Sequence, residues 1–100
     1  MSEITVTELS ALESPLIIDV REPYEYDSAH VDGVTLIPLG ELVQRAAEVP
    51  RQGPVYLICA AGARSAQAAA FLAGQGVTAV NVTGGMTAWQ QAGLPVSRKA

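Results

Sequence analysis

Short apolar runs alternate with segments of helical periodicity along this chain. Runs typical of strands lie at 15–20, 34–37, 54–58 and 77–82, and Ile4 ends a further short one. The run at 54–58, Pro-Val-Tyr-Leu-Ile, is continuously apolar, which is typical of a strand buried on both faces. Strands that alternate with helices predict an α/β fold, here a three-layer α/β/α arrangement around a mostly parallel sheet of about five strands.

Helix signals occur between these runs. Thr5 and Glu8 have the spacing of a capping box, so a short helix through Leu12 is expected after them. Pro23 suits the first turn of a helix that extends to Ser28. Further helices are predicted at 41–48, 65–75 and 87–92.

Three details of packing also follow from the pattern. The helix at 41–48 is predicted to bury an apolar stripe, and Met86 and Trp89 are predicted to anchor the last helix in the core after a flexible Gly84-Gly85 turn. Residues 97–100 are expected to form a loose, slightly basic tail. The apolar stripe of the predicted helix at 41–48 consists of Leu42, Val43, Ala46 and Ala47.

The composition is that of a compact globular protein. Of the 100 residues, 49% are hydrophobic and 16% are charged, which is far from the composition of disordered chains. We expect residues 1–100 to form one domain that buries somewhat over ~60% of its unfolded surface. A monomer is the default expectation.

The charge balance narrows the classes of partner. A net charge of −4 argues against binding to nucleic acid and to acidic membranes, because both depend on basic side chains. The first five residues carry neither a basic segment nor an apolar run, so no signal peptide or membrane span is expected and the default compartment is the cytoplasm. The single cysteine excludes an internal disulfide.

Candidate chemistry centres on residues 59–65, Cys-Ala-Ala-Gly-Ala-Arg-Ser, which join the strand at 54–58 to the next helix. Unpaired backbone N–H groups converge at such a junction. The small residues after Cys59 let the backbone curl around its sulfur as an anion-binding nest, which would lower the pKa of the thiol. Cys59 is therefore the candidate nucleophile, and the alternative is a buried, inert cysteine.

Two polar residues complete this loop. Arg64 supplies a permanent cation that can brace loop carbonyls or meet an incoming anion. Ser65 can cap the helix or donate a hydrogen bond to the sulfur.

Other polar residues lie near the end of the strand at 15–20. Asp19 is either a catalytic acid or base or, as we favour, a group that caps the backbone or pairs with a cation such as Arg21. Arg21 and Glu25 are interpreted as a structural ion pair. His30, the only histidine, is interpreted as a structural, hydrogen-bonded group, since an ionised thiol needs no base. One cysteine and one histidine make a metal site improbable.

The chain resembles the rhodanese family of sulfurtransferases, whose single-domain members carry an active loop of the form C-x-x-G-x-R-S. Cys59, Gly62, Arg64 and Ser65 match every fixed position of that loop. Further matches occur in the family's order at Asp19-Val20-Arg21, Glu25-Tyr26, His30-Val31-Asp32-Gly33, Ile37-Pro38, Gly84-Gly85-Met86 and Ala88-Trp89.

This resemblance implies a sulfurtransferase that needs no cofactor. Cys59 would take sulfur from thiosulfate or a persulfide, hold it as a persulfide and pass it to cyanide or a thiol. A sulfur-relay protein is implied as partner, for example a cysteine desulfurase as donor or a sulfur-carrier protein as acceptor. The resemblance assigns Ala60, Ala61, Gly62, Ala63, Arg64 and Ser65 to the substrate-binding loop, and Asp19, Arg21 and His30 to its support.

Two alternatives use similar residues. Cysteine phosphatases, some of which share the rhodanese fold, place five residues between cysteine and arginine, whereas four separate Cys59 from Arg64. The missing residue shortens the ring by up to ~3.3–3.6 Å of chain, which favours a sulfur atom over a tetrahedral phosphate. A noncatalytic binding or regulatory module is the second alternative, and the presence of both Cys59 and Arg64 argues against it.

Overall fold

The computed structural model describes residues 2–99, and five strands and five α-helices alternate along that range. Within it, no helix is long and apolar enough to cross a membrane. In chain order the elements are β1 Ser2–Ile4, α1 Val6–Ser10, β2 Leu16–Asp19, α2 Pro23–Ser28, β3 Thr35–Leu36, α3 Leu42–Arg45, β4 Pro54–Ile58, α4 Ala63–Gly74, β5 Thr78–Val82 and α5 Gly85–Gln91.

The strands form one sheet in the order β1-β5-β4-β2-β3, and every neighbouring pair is parallel. The chain leaves β2 towards one edge of the sheet and leaves β4 towards the other. The connections therefore diverge between these two central strands, at the point where α/β folds commonly bind ligands. Asp19 and Ile58 pair across this point at the carboxyl ends of the strands.

Helices cover both faces of the sheet, which confirms the predicted three-layer arrangement. On one face, side chains of α3 and α4 pack with Val55 and Leu57 of β4. On the other, α1 and α5 pack with Ile58, and Met86 and Trp89 are buried in the core as predicted. Successive residues of a strand point to opposite faces. Cys59 continues the alternation of β4 and belongs to the cluster on the α4 side.

The first two helices begin as predicted. The Thr5 hydroxyl accepts from the backbone N–H of Glu8 at 3.1 Å, and the Glu8 carboxylate accepts from the backbone N–H of Thr5 at 3.0 Å. Pro23 occupies the first helical position of α2. Helix α1 ends at Ser10, two residues earlier than expected, and Leu12 is 41% exposed in the turn that follows.

The segment 41–48 is not the single helix that its periodicity predicted. A four-residue α3 lies between two 3₁₀ turns, Leu39–Glu41 and Ala46–Glu48. Leu42 of α3 and Val49 after the second turn both lie in the core, and 3₁₀ turns are common at the ends of helices. The predicted stripe was wrong for Val43, which is 71% exposed, and for Ala47, which is exposed as well, whereas Leu42 is buried and Ala46 is half-buried.

We call residues 59–65, which contain Cys59, the sulfur loop. The two helices next to it, α4 and α5, begin two residues earlier than predicted. Helix α4 starts at Ala63 after Gly62, whose φ of 110° is in the left-handed region. Ser65 is therefore inside the first turn and does not act as the N-cap. Helix α5 starts at Gly85 rather than at Thr87.

The Gly84-Gly85 pair is a packed junction, not the flexible turn that was predicted. The backbone N–H groups of Met86 and Thr87 donate to the carbonyls of Cys59 and Ala60 at 2.8 and 2.9 Å. The sulfur loop thus satisfies two N–H groups of the first turn of α5. A side chain on Gly85 would overlap the Cys59 carbonyl oxygen.

The carboxyl-terminal segment is also attached. Ser97 forms an antiparallel bridge with His30 through backbone hydrogen bonds of 2.8 and 2.9 Å. The backbone N–H of Lys99 donates to the backbone carbonyl of Asp27 at 3.0 Å. The prediction of a loose tail was therefore wrong for residues 97–99. Ala100 lies outside the described residues.

Replacement of Gly85 tests this junction. Gly85→Ala is expected to lower the free energy of unfolding by at least ~2 kcal/mol, because the new methyl group overlaps backbone of the sulfur loop that cannot retreat. Gly74→Ala is the matched control, since no atom lies within 4 Å of its added Cβ and alanine favours a helix. Urea denaturation measures both. Equal stability of the two variants would contradict the packed junction.

Candidate active site

The sulfur of Cys59 lies on the floor of the loop that joins β4 to α4. The backbone N–H of Gly62 donates to the sulfur at 3.1 Å, and the Ser65 hydroxyl oxygen lies 3.2 Å from it. Cys59 is only 1% exposed. A reacting atom must therefore enter the loop to reach the sulfur.

Two opposing effects set the pKa of the Cys59 thiol. Burial raises the pKa, while the Ser65 hydroxyl and the backbone N–H groups of Ser65, Gly62 and Ala61 lower it by donating to the sulfur. The hydrogen bonds prevail, and the pKa lies below its usual value. The loop thus favours a thiolate, the nucleophilic form of cysteine.

Ser65 connects the sulfur to a residue that sequence reasoning missed. Its hydroxyl oxygen lies 2.6 Å from the side-chain oxygen of Asn81 and 3.2 Å from the Gly62 carbonyl, so these oxygens compete with the sulfur for its single proton. Ser65 and Asn81 are both buried. A lone asparagine in the apolar run at 77–82 was the available signal, since a buried amide requires a partner.

Arg64 forms an ion pair with Glu25. Its two terminal nitrogens donate to the two carboxylate oxygens at 2.7 and 2.9 Å. These hydrogen bonds from Arg64 lower the pKa of Glu25 to about 2, against the opposing effect of burial. The backbone N–H of Glu22 adds a third hydrogen bond to this carboxylate at 3.0 Å.

The predicted ion pair between Arg21 and Glu25 was therefore wrong, because Glu25 pairs with Arg64. The Arg21 side chain instead pairs with Asp19, with three N–O distances of 2.8–3.1 Å, as the structural interpretation of Asp19 predicted. Four-residue spacing favours side-chain pairs only within a helix. Arg21 precedes α2, so that rule does not apply.

The Asp19–Arg21 pair fixes the helix that carries Glu25. Arg21 donates to the backbone carbonyls of Glu25 and Ala29 at 3.2 and 2.7 Å, which satisfies acceptors at the carboxyl end of α2. Asp19 is fully buried. The pair thus holds Glu25 in position, and Glu25 in turn holds Arg64.

His30 lies just beyond the carboxyl end of α2. Its Nδ1 donates to the Tyr26 carbonyl at 2.7 Å, and its ring stacks on that of Tyr26 at a centroid distance of 3.8 Å. Its backbone pairs with Ser97. These contacts agree with a structural histidine that joins α2 to the carboxyl-terminal segment.

The model of the Rhodanese-like domain matches residues 5–92 of the chain. The chain belongs to this family. A sulfurtransferase of Allochromatium vinosum is 35% identical over 96 residues, which are 95% of this chain and 90% of the relative. The Bacillus subtilis protein YrkF, whose name refers to a sulfur carrier, is 47% identical over 78 residues. That match covers 77% of this chain but only 42% of YrkF.

A solved structure of a rhodanese-like protein has the same fold as this chain. The crystal structure of a rhodanese-like domain protein from Staphylococcus aureus superimposes with a TM-score of 0.90 at 32% identity, over 100% of both chains. The protein is thus a rhodanese-like α/β domain. Together with the sulfurtransferase among its relatives, this supports sulfur transfer at the level of the family.

Replacement of Ser65 tests the hydrogen bonds to the sulfur of this rhodanese-like protein. The rate of Cys59 alkylation against pH should inflect below ~8.5, the value for free cysteine. In Ser65→Ala the inflection should move to higher pH, because one donor that lowers the thiol pKa is lost. Ser10→Ala is the control, since its hydroxyl donates only to Thr7 in α1. Identical profiles in folded Ser65→Ala and wild-type protein would refute the role of Ser65.

Proposed function

We propose that this rhodanese-like protein is a sulfurtransferase that carries the transferred sulfur as a persulfide on Cys59. One observation carries the proposal: a buried sulfur receives hydrogen bonds from loop N–H groups and from Ser65. Such donors stabilise a thiolate before the reaction. They also suit the negative charge on the outer sulfur of a persulfide.

In the first half-reaction, the Cys59 thiolate attacks the outer sulfur of the donor. A new S–S bond forms at Cys59 as the donor's own S–S bond breaks, and that electron pair leaves with sulfite or with a thiolate. In the second half-reaction, cyanide or an acceptor thiolate attacks the outer sulfur and leaves as thiocyanate or as a new persulfide. Cys59 is regenerated as a thiolate, so the two half-reactions together need no oxidant and no cofactor.

The remaining residues have supporting roles in this proposal. Ala60, Ala61, Gly62 and Ala63 supply backbone that encloses the transferred sulfur without adding charge. Asp19 and Arg21 hold α2, and through Glu25 they hold Arg64. His30 contributes to stability alone.

The geometry gives less support to phosphoryl transfer. Cysteine phosphatases need an arginine that can embrace the phosphate, whereas both terminal nitrogens of Arg64 already donate to Glu25. The interval of four residues between Cys59 and Arg64 also favours a sulfur atom over a phosphate. A noncatalytic module would have no need of donors aimed at a buried sulfur.

The partners in this proposal are sulfur donors and acceptors, which include proteins of a sulfur relay. The sulfur-carrier name of YrkF motivates that part. The first half-reaction needs Cys59 as a reduced thiol, so the proposed compartment is the cytoplasm, where thiols are kept reduced.

Intact-mass measurement tests the proposed intermediate. Reduced protein is incubated with excess thiosulfate or an alkyl persulfide, and the donor is then removed. We expect a species heavier by one sulfur atom, which cyanide discharges as thiocyanate. Cys59→Ser should show neither event, because serine cannot form a persulfide. Folded, reduced wild-type protein that gained no sulfur from either donor would refute the proposal.

A further inference from the structure

The first turn of α4 holds the ion pair of Arg64 with Glu25, which we call the lip of the sulfur loop. The sequence offers Arg64 as a cation that can brace loop carbonyls or meet an incoming anion. Arg64 is the only charged residue from Cys59 to Ser65. Glu25 binds it through both carboxylate oxygens, at 2.7 and 2.9 Å. The positive charge that an incoming anion would meet is therefore balanced by a carboxylate at the same place.

Glu25 is a permanent part of this lip. Its carboxylate accepts three hydrogen bonds, two from Arg64 and one from the backbone N–H of Glu22. The hydrogen bonds from Arg64 hold its pKa at about 2, so it is ionised near neutral pH. Arg21 fixes the backbone of the same residue. The carboxylate cannot turn away without the loss of several of these contacts.

The balanced pair affects donors according to their charge. An anion close to Arg64 is also close to Glu25, so attraction and repulsion largely cancel. Thiosulfate carries two negative charges, and a persulfide of an uncharged thiol carries at most one. Both present the same terminal sulfur to the loop N–H groups. The ion pair therefore acts on the charge that the rest of the donor carries, and this charge differs between the two donors.

We propose that Glu25 determines the choice of donor: by neutralising Arg64, it disfavours thiosulfate and favours the persulfide of a thiol that carries little other negative charge. This inference rests on the proposed sulfurtransferase function. It assigns Glu25 as a specificity-determining residue. Asp19 and Arg21 then act as positioning residues for that carboxylate through α2.

Glu25→Gln tests the inference with little change in shape. Glutamine can still accept from the Glu22 N–H and from Arg64, but the negative charge is removed. The rate of sulfur loading onto Cys59 is measured by intact mass at low donor concentration, with thiosulfate and with 2-mercaptoethanol persulfide. The wild type should load faster from the persulfide. Loading of Glu25→Gln from thiosulfate should be about tenfold faster than that of the wild type, and loading from the persulfide less than ~3-fold faster.

Glu48→Gln is the matched control. Glu48, in the 3₁₀ turn after α3, forms an ion pair with Arg45, which also pairs with Glu41. Its replacement changes the net charge by the same amount as that of Glu25. Loading from thiosulfate should stay within ~2-fold of the wild type, because a pair away from the sulfur loop changes only the weak, screened field of the whole protein.

A double-mutant cycle separates the pair from Arg64 alone. Arg64→Gln leaves Glu25 unpaired and should slow loading from thiosulfate more than loading from the persulfide. The double variant Arg64→Gln with Glu25→Gln again has a neutral lip, so its ratio of the two rates should return towards that of the wild type. The ratio is read within one sample, so partial unfolding lowers both rates together and leaves it unchanged.

Three results would overturn the inference. The first is loading of Glu25→Gln from thiosulfate at the wild-type rate, the second is equal acceleration of loading from both donors, and the third is a double variant that keeps the ratio of Arg64→Gln. In each case a wild type that still takes up sulfur leaves the proposed function intact. Wild-type protein that takes up sulfur from neither donor refutes both the function and the inference.

Discussion

Hydrogen bonds to one buried sulfur atom are the interaction on which the site depends. Cys59 is almost inaccessible, and burial by itself opposes ionisation of its thiol. The Ser65 hydroxyl and the backbone N–H groups of Ser65, Gly62 and Ala61 reverse that effect. They converge because β4 ends and α4 begins within four residues, which leaves unpaired N–H groups around the sulfur.

The rest of the fold holds this short connection in place from two sides. Helix α5 donates the N–H groups of Met86 and Thr87 to the first two carbonyls of the loop, and Gly85 permits the close approach. On the other side, α2 presents Glu25 to Arg64, and the buried pair of Asp19 and Arg21 secures α2. Helices α2 and α5 follow the carboxyl ends of β2 and β5, and these ends lie at the same edge of the parallel sheet as the end of β4.

The sequence predicted what depends on local patterns. Continuous apolar runs indicated the strands, and the Thr5 capping box indicated the start of α1. The loop at 59–65 indicated a candidate nucleophile, and that role stays a prediction. It could not predict features that depend on distant segments. The pair of Glu25 and Arg64 joins residues 39 positions apart, and α5 begins early because the sulfur loop supplies acceptors. The 3₁₀ turns at 39–41 and 46–48 likewise have no signal in the apolar pattern of that segment.

NMR of the backbone amides tests the central claim most directly. The ¹⁵N-labelled protein is compared before and after sulfur is loaded onto Cys59, with loading measured by mass. We predict that the amide signals of Ala61, Gly62 and Ser65 shift, because their N–H groups then face the charge on the outer sulfur. Signals of Gln52 and Gly53, which precede β4 at the opposite edge of the sheet, should not move, and Cys59→Ser should show no change. Loaded protein with unchanged loop amides would contradict the claim that these N–H groups hold the transferred sulfur.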